Sequence, residues 1–433
     1  MTVFPFLYRK AGQACAKSQR EGEKRPNGKG NVPMDEGLLR KLKMVRLRDL
    51  GHVFLFLCAL LPAAFLRRKR PHLWLVCEGE REAQDNGYWF FRYLRREQPQ
   101  VDAVYAVADD APARERVAEL GETVDYGSFR HWILYLAAEV NISSQKSGKP
   151  NAAVCYLLEV VLGWLKNRRV FLQHGVTQAD LPFLYEKKAR LSLFCCAARP
   201  EYDFIRSRFG YPEEAVKLLG FCRFDSLHGL EAEKELLLIV PTWRMELHRG
   251  RDKNAFLNSE YYRRFQSLLN SRELDELLGR FGKRAVFVAH RNMEQFEDAF
   301  TSEGRNIRVL RWRDADISGL IRRAGTLITD YSSVFMDFAY MKKPLLYYQF
   351  DTERYHRTHL AAGYFDYGRD GFGPVCASEE ALLRELETLF EADCTMAPAY
   401  AGRVDAFFTL NDTKNSERTY HAICDMIREK ADP

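Results

Sequence analysis

Two histidines, an arginine and a Ser-Ser turn each stand just after a short apolar run in this chain. Residues 170–173 lead into His174-Gly175, residues 236–240 into Pro241-Thr242-Trp243-Arg244, and residues 285–289 into His290. Residues 326–329 lead into Asp330-Tyr331-Ser332-Ser333, and a helical pattern with Val334, Phe335, Phe338 and Met341 on one face follows. Such residues supply a base, an acid, a cation and hydroxyl donors without an obvious metal cage, a mixture suited to chemistry on a phosphate or diphosphate. Ser332 or Ser333 can cap the helix, whose free N–H groups and positive dipole end attract an anion. A lone histidine after a strand is more often an ordinary loop residue, and a Ser-capped helix is common. Four such positions together point to one crevice, because in open α/β sheets ligands bind beyond the carboxyl ends of the strands.

The elements that must position these residues alternate between short apolar runs and helical patterns. Strands are expected at 73–77, 101–106, 140–142, 170–173, 191–196 and 216–220, and again at 236–240, 285–289, 307–310, 326–329 and 345–348. Alternation of this kind predicts parallel, doubly wound sheets in two α/β halves, with residues 228–234 as the linker. The C-terminal helical patterns, 405–410 and 416–428, are expected to pack back across both halves. No GxGxxG or GxxxxGK motif is present, which removes the best support for dinucleotide redox chemistry or P-loop ATP hydrolysis.

A length of 433 residues, 46% of them hydrophobic, is ample for two buried cores. The ten cysteines form no CxxC pair, so they read as reduced thiols rather than a disulfide frame or zinc site. Net charge is +6, but residues 1–70 hold 16 Lys or Arg against 5 Asp or Glu, which leaves the remainder acidic. Within this basic arm residues 53–66 form an uncharged run of 14, interrupted by Pro62 and flanked by Arg46 and Arg48 before it and Arg67 to Arg70 after it. A spanning helix needs about 20 apolar residues, so a helix over 50–66 lying in the interface of an anionic membrane is the expectation, with a buried core helix as the alternative. Residues 11–33 read as disordered, and Met34 and Met44 are alternative starts. The arm lacks the interleaved aromatics of a nucleic-acid binder, so no nucleic-acid partner is expected.

Read as a whole, the chain resembles the CDP-glycerol glycerophosphotransferases that build teichoic acids and related polymers in bacteria. The resemblance rests on LWLVCEGEREAQDNGYWFFRYL from Leu73, NISSQ, VFLQHGVTQADLP, PEYDFIRSRFGYP, LLGFCRFDSL, PTWR, VFVAH, TDYSSVFMDFAYMKKPLL and NDTKNSER, and it covers nearly everything after residue 72 in the family's order. TDYSSVFMDF is the most specific of these runs.

The resemblance implies two Rossmann-like domains facing a cleft in the GT-B arrangement. They are an acceptor-side domain over 71–230 and a donor-binding domain over 231–433, preceded by the arm over 1–70. It implies His174 as the base that deprotonates an acceptor hydroxyl and His290 as a second catalytic group near the phosphate. Arg244, Ser332 and Ser333 would hold the diphosphate, with Gly175, Thr329, Asp330, Arg223 and Asp225 as further substrate-side candidates, although Arg223 and Asp225 are equally read as an ion pair shaping the interdomain loop. The chain departs from the family at Val176-Thr177 and at Arg291, where Thr-Pro and Pro are usual.

The implied reaction takes glycerol phosphate or a related alditol phosphate from CDP-glycerol or CDP-ribitol to a lipid-linked glycan or polymer at the cytoplasmic membrane face, releasing CMP. No resident cofactor is implied, and dependence on a divalent cation stays open. A GT-B nucleotide-sugar glycosyltransferase and a membrane-docked scaffold without catalysis are the competing readings.

Overall fold

The computed structural model describes residues 47–250, 252–358 and 363–429, and the basic arm before them, with its expected disorder and alternative starts, lies outside. Two wholly parallel sheets organise the chain. The first takes β1 (Trp74–Cys77), β2 (Ala103–Ala106), β3 (Thr123–Val124), β4 (Val140–Ser143), β5 (Arg168–Phe171), β6 (Leu193–Cys196) and β7 (Val216–Leu218) in the order β3-β2-β1-β4-β5-β6-β7. The second takes β8 (Glu233–Ile239), β9 (Arg284–Val288), β10 (Ile307–Leu310), β11 (Ala324–Thr329), β12 (Leu345–Tyr348) and β13 (Val375–Cys376) in the order β10-β9-β8-β11-β12-β13. Helices cover both faces, which is why β1, β2, β6, β11 and β12 are buried along their whole length and read as continuous apolar runs. The two strands that sequence pattern did not reveal, β3 and β13, are two-residue edge strands too short to carry a period.

Winding reverses beside the first strand of each sheet. β1 lies between β2 and β4, and β8 lies between β9 and β11. Loops that leave neighbouring strands at such a switch point diverge and open a crevice at the carboxyl ends. The loops carrying Trp243, His290 and Ser332 start at the switch point of the second sheet, and the His174 loop leaves the carboxyl end of β5, one strand beyond β4 in the first.

The first sheet ends at Leu218 and the second begins at Glu233, on either side of residue 231, but the last described helix crosses back to the first half. Ile423 and Met426 of Asn415–Arg428 join the core around Trp74 and Phe90 of the first domain. Asp225 anchors that helix by accepting from the backbone N–H groups of Asn415 and Ser416, each at 2.8 Å. The preceding helix is Pro398–Phe407 rather than 405–410, started by Pro398 and packed through Val404 and Phe407 on the second domain. The C-terminal segment therefore ties the two halves together.

The apolar run of the arm forms the helix Leu47–Lys69, with Pro62 inside it. Sequence reading took the 14-residue uncharged run as too short to span a membrane, whereas Asp49–Lys69, at 21 residues, is long and apolar enough by length and composition. Packing places it on the protein instead. Phe56, Ala59 and Ala63 are buried against Trp132 and Tyr135, and the Trp132 indole donates to His52 at 3.1 Å. Asn151 donates to Asp49 at 3.0 Å at one end, and Arg67 donates to the Ala137 carbonyl at 3.2 Å at the other.

Candidate active site

A cleft of about 860 Å³ separates the carboxyl ends of the two sheets. Its first wall carries Gly79 and Glu82 after β1, Gln145 and Lys146 after β4, and His174 and Gly175 after β5. Its second wall carries Trp243 after β8, His290 and Arg291 after β9, and Tyr331, Ser332 and Ser333 after β11. Both expected histidines and the expected Ser-Ser turn thus share one space.

The His174 loop is held from below. Gln173 adopts φ 61°, a left-handed backbone that costs a non-glycine residue energy and needs compensation. Compensation comes from Glu201, at the first turn of Arg199–Arg208, whose carboxylate accepts from the Thr177 N–H at 2.6 Å and from Gln173 Nε2 at 3.0 Å. The Gln173 amide also donates to the Cys195 carbonyl at 2.6 Å, and Asn86 Nδ2 donates to the Gln173 carbonyl at 2.8 Å. Burial pushes the Glu201 pKa up to about 7, and three backbone N–H groups oppose that rise.

His174 itself is open to the cleft and makes no hydrogen bond to protein among the described residues. Crowding by the walls lowers its pKa, Asp85 and Glu82 pull the other way, and Arg223 adds to the lowering. The imidazole is consequently neutral near pH 7 and free to accept a proton. Gly175 lets the opposite wall come close: a Cβ there would lie 3.4 Å from Ser333 Oγ.

His290 is prepared differently. Its Nδ1 accepts from the Asn292 N–H at 3.1 Å, so the neutral ring carries its proton on Nε2. Trp243 stacks beside it, with ring centroids 6.3 Å apart, and Trp312 lies tilted at 6.0 Å. Burial, with Arg291 and His248 nearby, pushes its pKa down to about 4. It is a neutral hydrogen-bond donor across the physiological range, not a cation.

The Ser-Ser turn starts a helix of seven residues, Val334–Tyr340, and Ser333 makes no side-chain cap bond. Ser332 is nearly buried and Ser333 exposed in the cleft. Beside them Tyr331 stacks flat on Tyr355, with centroids 3.8 Å apart, and meets Tyr367 edge-on at 5.8 Å. All three line the cleft.

Four expected substrate ligands do other work. Arg244 is buried, its Nε donating to Asp351 at 2.8 Å and its Nη2 lying 2.9 Å from Asp330. It also faces the rings of Tyr261, Tyr331 and Tyr355, so its charge is spent inside the domain and does not reach the cleft. Asp330 accepts from the N–H groups of Thr242 and Tyr331, both at 2.6 Å, and so locks the β8 loop to the Ser-Ser turn. Thr329 donates to the Val240 carbonyl at 2.7 Å. Asp225 caps the C-terminal helix.

Arg223 is a domain bridge. It reaches Asp85 of the first domain at 2.9 Å and Asp337 of the second at 2.8 Å, and its N–H donates to Asn86 Oδ1 at 3.0 Å. These groups and His174 line a smaller cavity of about 160 Å³ on the far side of the histidine.

Comparison with known proteins agrees with this arrangement. The wall teichoic acid polymerase TagF has the same fold, with a TM-score of 0.63 and 18% identity over 92% of this chain and 100% of the TagF chain. A UDP-N-acetylglucosamine 2-epimerase from Listeria monocytogenes shares it more loosely, at a TM-score of 0.53 and 14% identity over 82% of this chain and 96% of that one. By sequence, the chain is 30% identical over 375 residues to the minor teichoic acid biosynthesis protein GgaB of Bacillus subtilis, covering 83% of this chain and 40% of that protein. It is 27% identical over 224 residues to the teichoic acid poly(glycerol phosphate) polymerase of the same organism, covering 52% of this chain and 27% of the polymerase. The chain thus spans less than half the length of these two relatives. Residues 204–425, half of the chain, match the profile of one family throughout, and on that match the chain belongs to the CDP-glycerol:poly(glycerophosphate) glycerophosphotransferases.

Proposed function

We propose that the chain transfers glycerol phosphate, or a related alditol phosphate, from a CDP-alditol to a hydroxyl of a membrane-linked acceptor or growing teichoic-acid-like polymer. The observation that carries this reading is the pairing, across one cleft, of an unbonded neutral base, His174, with a neutral donor, His290, beside the Ser332-Ser333 turn. His174 takes the proton from the acceptor hydroxyl as its oxygen bonds to the β phosphorus. The bond from that phosphorus to the CMP oxygen breaks, and CMP leaves with the electron pair. His290 and the serine hydroxyls donate to the phosphoryl oxygens, where phosphoryl transfer gains most of its stabilisation. The wall of Tyr331, Tyr355 and Tyr367 offers the base a stacking surface.

The experiment is CMP release with mass analysis of the acceptor, using CDP-glycerol and CDP-ribitol with acceptor-bearing membranes. One alditol phosphate gained per CMP is expected. No CMP from either donor with folded protein, or release of a nucleoside diphosphate from a nucleotide sugar instead, overturns the reading.

The same reading places Leu47–Lys69 on the cytoplasmic membrane surface. Its outward face carries Leu50, Phe54, Leu57, Phe65 and Leu61, the last 84% exposed, with Arg68 and Lys69 at its end. Its inward face places His52 in the cleft wall near Gly127 and Asn151, so an acceptor anchored in the bilayer would enter the cleft at that end. Burying a large apolar side chain contributes about 1.5–3 kcal/mol, and each basic residue near an anionic surface about 1 kcal/mol. Replacing Phe54 and Leu61 together with glutamate is therefore expected to weaken binding to phosphatidylglycerol vesicles by at least about tenfold in a flotation assay. Binding equal to wild type would remove the helix from the membrane.

A further inference from the structure

Most basic side chains around the cleft are already engaged. Arg244 is held by Asp330 and Asp351, and Arg223 by Asp85 and Asp337. Lys146 donates to the carbonyls of Phe183 and Lys188, and Arg81, which also lines the cleft, pairs with the Asp110 carboxylate and donates to its carbonyl. Arg291 stands apart. It follows His290 directly, belongs to the second domain, and lines the cleft. Its Nη1 donates across the gap to Glu82 Oε1 of the first domain.

Glu82 is set to receive it. Its second carboxylate oxygen accepts from Gln145 Nε2 at 2.7 Å. Gly79 leaves room for the carboxylate to fold back, because a Cβ at that position would lie 2.7 Å from Glu82 Oε2. Both partners are half-open to water, at 47% and 29% exposure, and an ion pair so placed is weak and readily exchanged. A diphosphate offers the same guanidinium more charge and two-point hydrogen bonding.

We propose that Arg291 is the diphosphate-binding arginine of this chain, held by Glu82 in this structure and handed to the donor when it binds. The inference rests on the CDP-alditol reading above. The exchange breaks the Arg291–Glu82 bridge between the domains and makes a new one through the donor. It also leaves Glu82 without its cation. Glu82 is also one of the two carboxylates that oppose the lowering of the His174 pKa by burial.

Calorimetric titration with CDP and with inorganic pyrophosphate, on wild type, Arg291→Ala and Glu82→Gln, tests this with a readout independent of turnover. Arg291→Ala is expected to weaken CDP binding about tenfold or more. Glu82→Gln, which removes the competitor, is expected to tighten it a few-fold, and the double variant should match Arg291→Ala. A bridge that merely props the domains predicts the opposite pattern, with both single variants weakened alike, and that result overturns the proposal. So does unchanged CDP affinity in Arg291→Ala. Folded wild type that binds neither CDP nor pyrophosphate would overturn the donor reading along with it. In turnover, the acid limb of kcat/KM should move to lower pH in Glu82→Gln, which removes a carboxylate that supports the protonated form of His174.

Discussion

Replacing His174 with alanine is expected to lower CMP release by about 10²- to 10⁴-fold, the range typical of a lost general base. The thermal midpoint should scarcely move. His174 makes no hydrogen bond to protein among the described residues and opens to the cleft, and changes at such positions usually shift stability by no more than about 0.5 kcal/mol. Activity lost with stability kept separates a base from a prop. The pH profile adds a second check. A general base must be unprotonated, so the rate falls as pH drops through the His174 pKa. Crowding lowers that pKa, hence the acid limb of kcat/KM should lie below the ordinary imidazole value of about 6.5. Asp85→Asn removes a carboxylate that supports the protonated form and should move the limb lower still. Turnover within about tenfold of wild type in His174→Ala would exclude His174 as the base.

The placement of His174 and His290 was legible because each comes shortly after a parallel strand that ends in buried apolar residues, Val170-Phe171 before the first and Ala285 to Val288 before the second. The two-sheet architecture was legible for the same reason. What sequence did not show was partnership at long range. Arg244 looked like a phosphate ligand because its chemistry suits one, yet Asp351, which neutralises it, is 107 residues away. The Arg291–Glu82 bridge joins residues 209 apart, and the Asp225 cap joins residues 190 apart. Glu201 lay inside a quoted motif, but its helical pattern gave no sign that its carboxylate enters the His174 loop. The first helix was misjudged in length because charged residues at its ends hid how far the helical backbone continues, and nothing local revealed Trp132 and Asn151 as its anchors.

Arg244→Ala is the sharpest test of that correction, and its expected effect is on folding. Burial works against the guanidinium's charge, while Asp330 and Asp351 more than offset it and hold its pKa above the ordinary value. Removing the arginine strands two carboxylates in a dry site. Breaking a buried pair in this way costs about 3–5 kcal/mol, a large part of the 5–15 kcal/mol that typically holds a domain together. The damage should also spread, because Asp330 fastens Thr242 and Tyr331 together and Gln349 donates to the Asp330 carbonyl at 2.9 Å. A fall in the urea midpoint is therefore expected in the absence of any ligand. Arg244→Lys should fall less, since an ammonium restores the charge but not the two-point hydrogen bonding to Asp351. A diphosphate ligand predicts the reverse signature: wild-type stability with weakened CDP binding. Finding that signature would return Arg244 to the cleft and leave Arg291 without the role assigned to it.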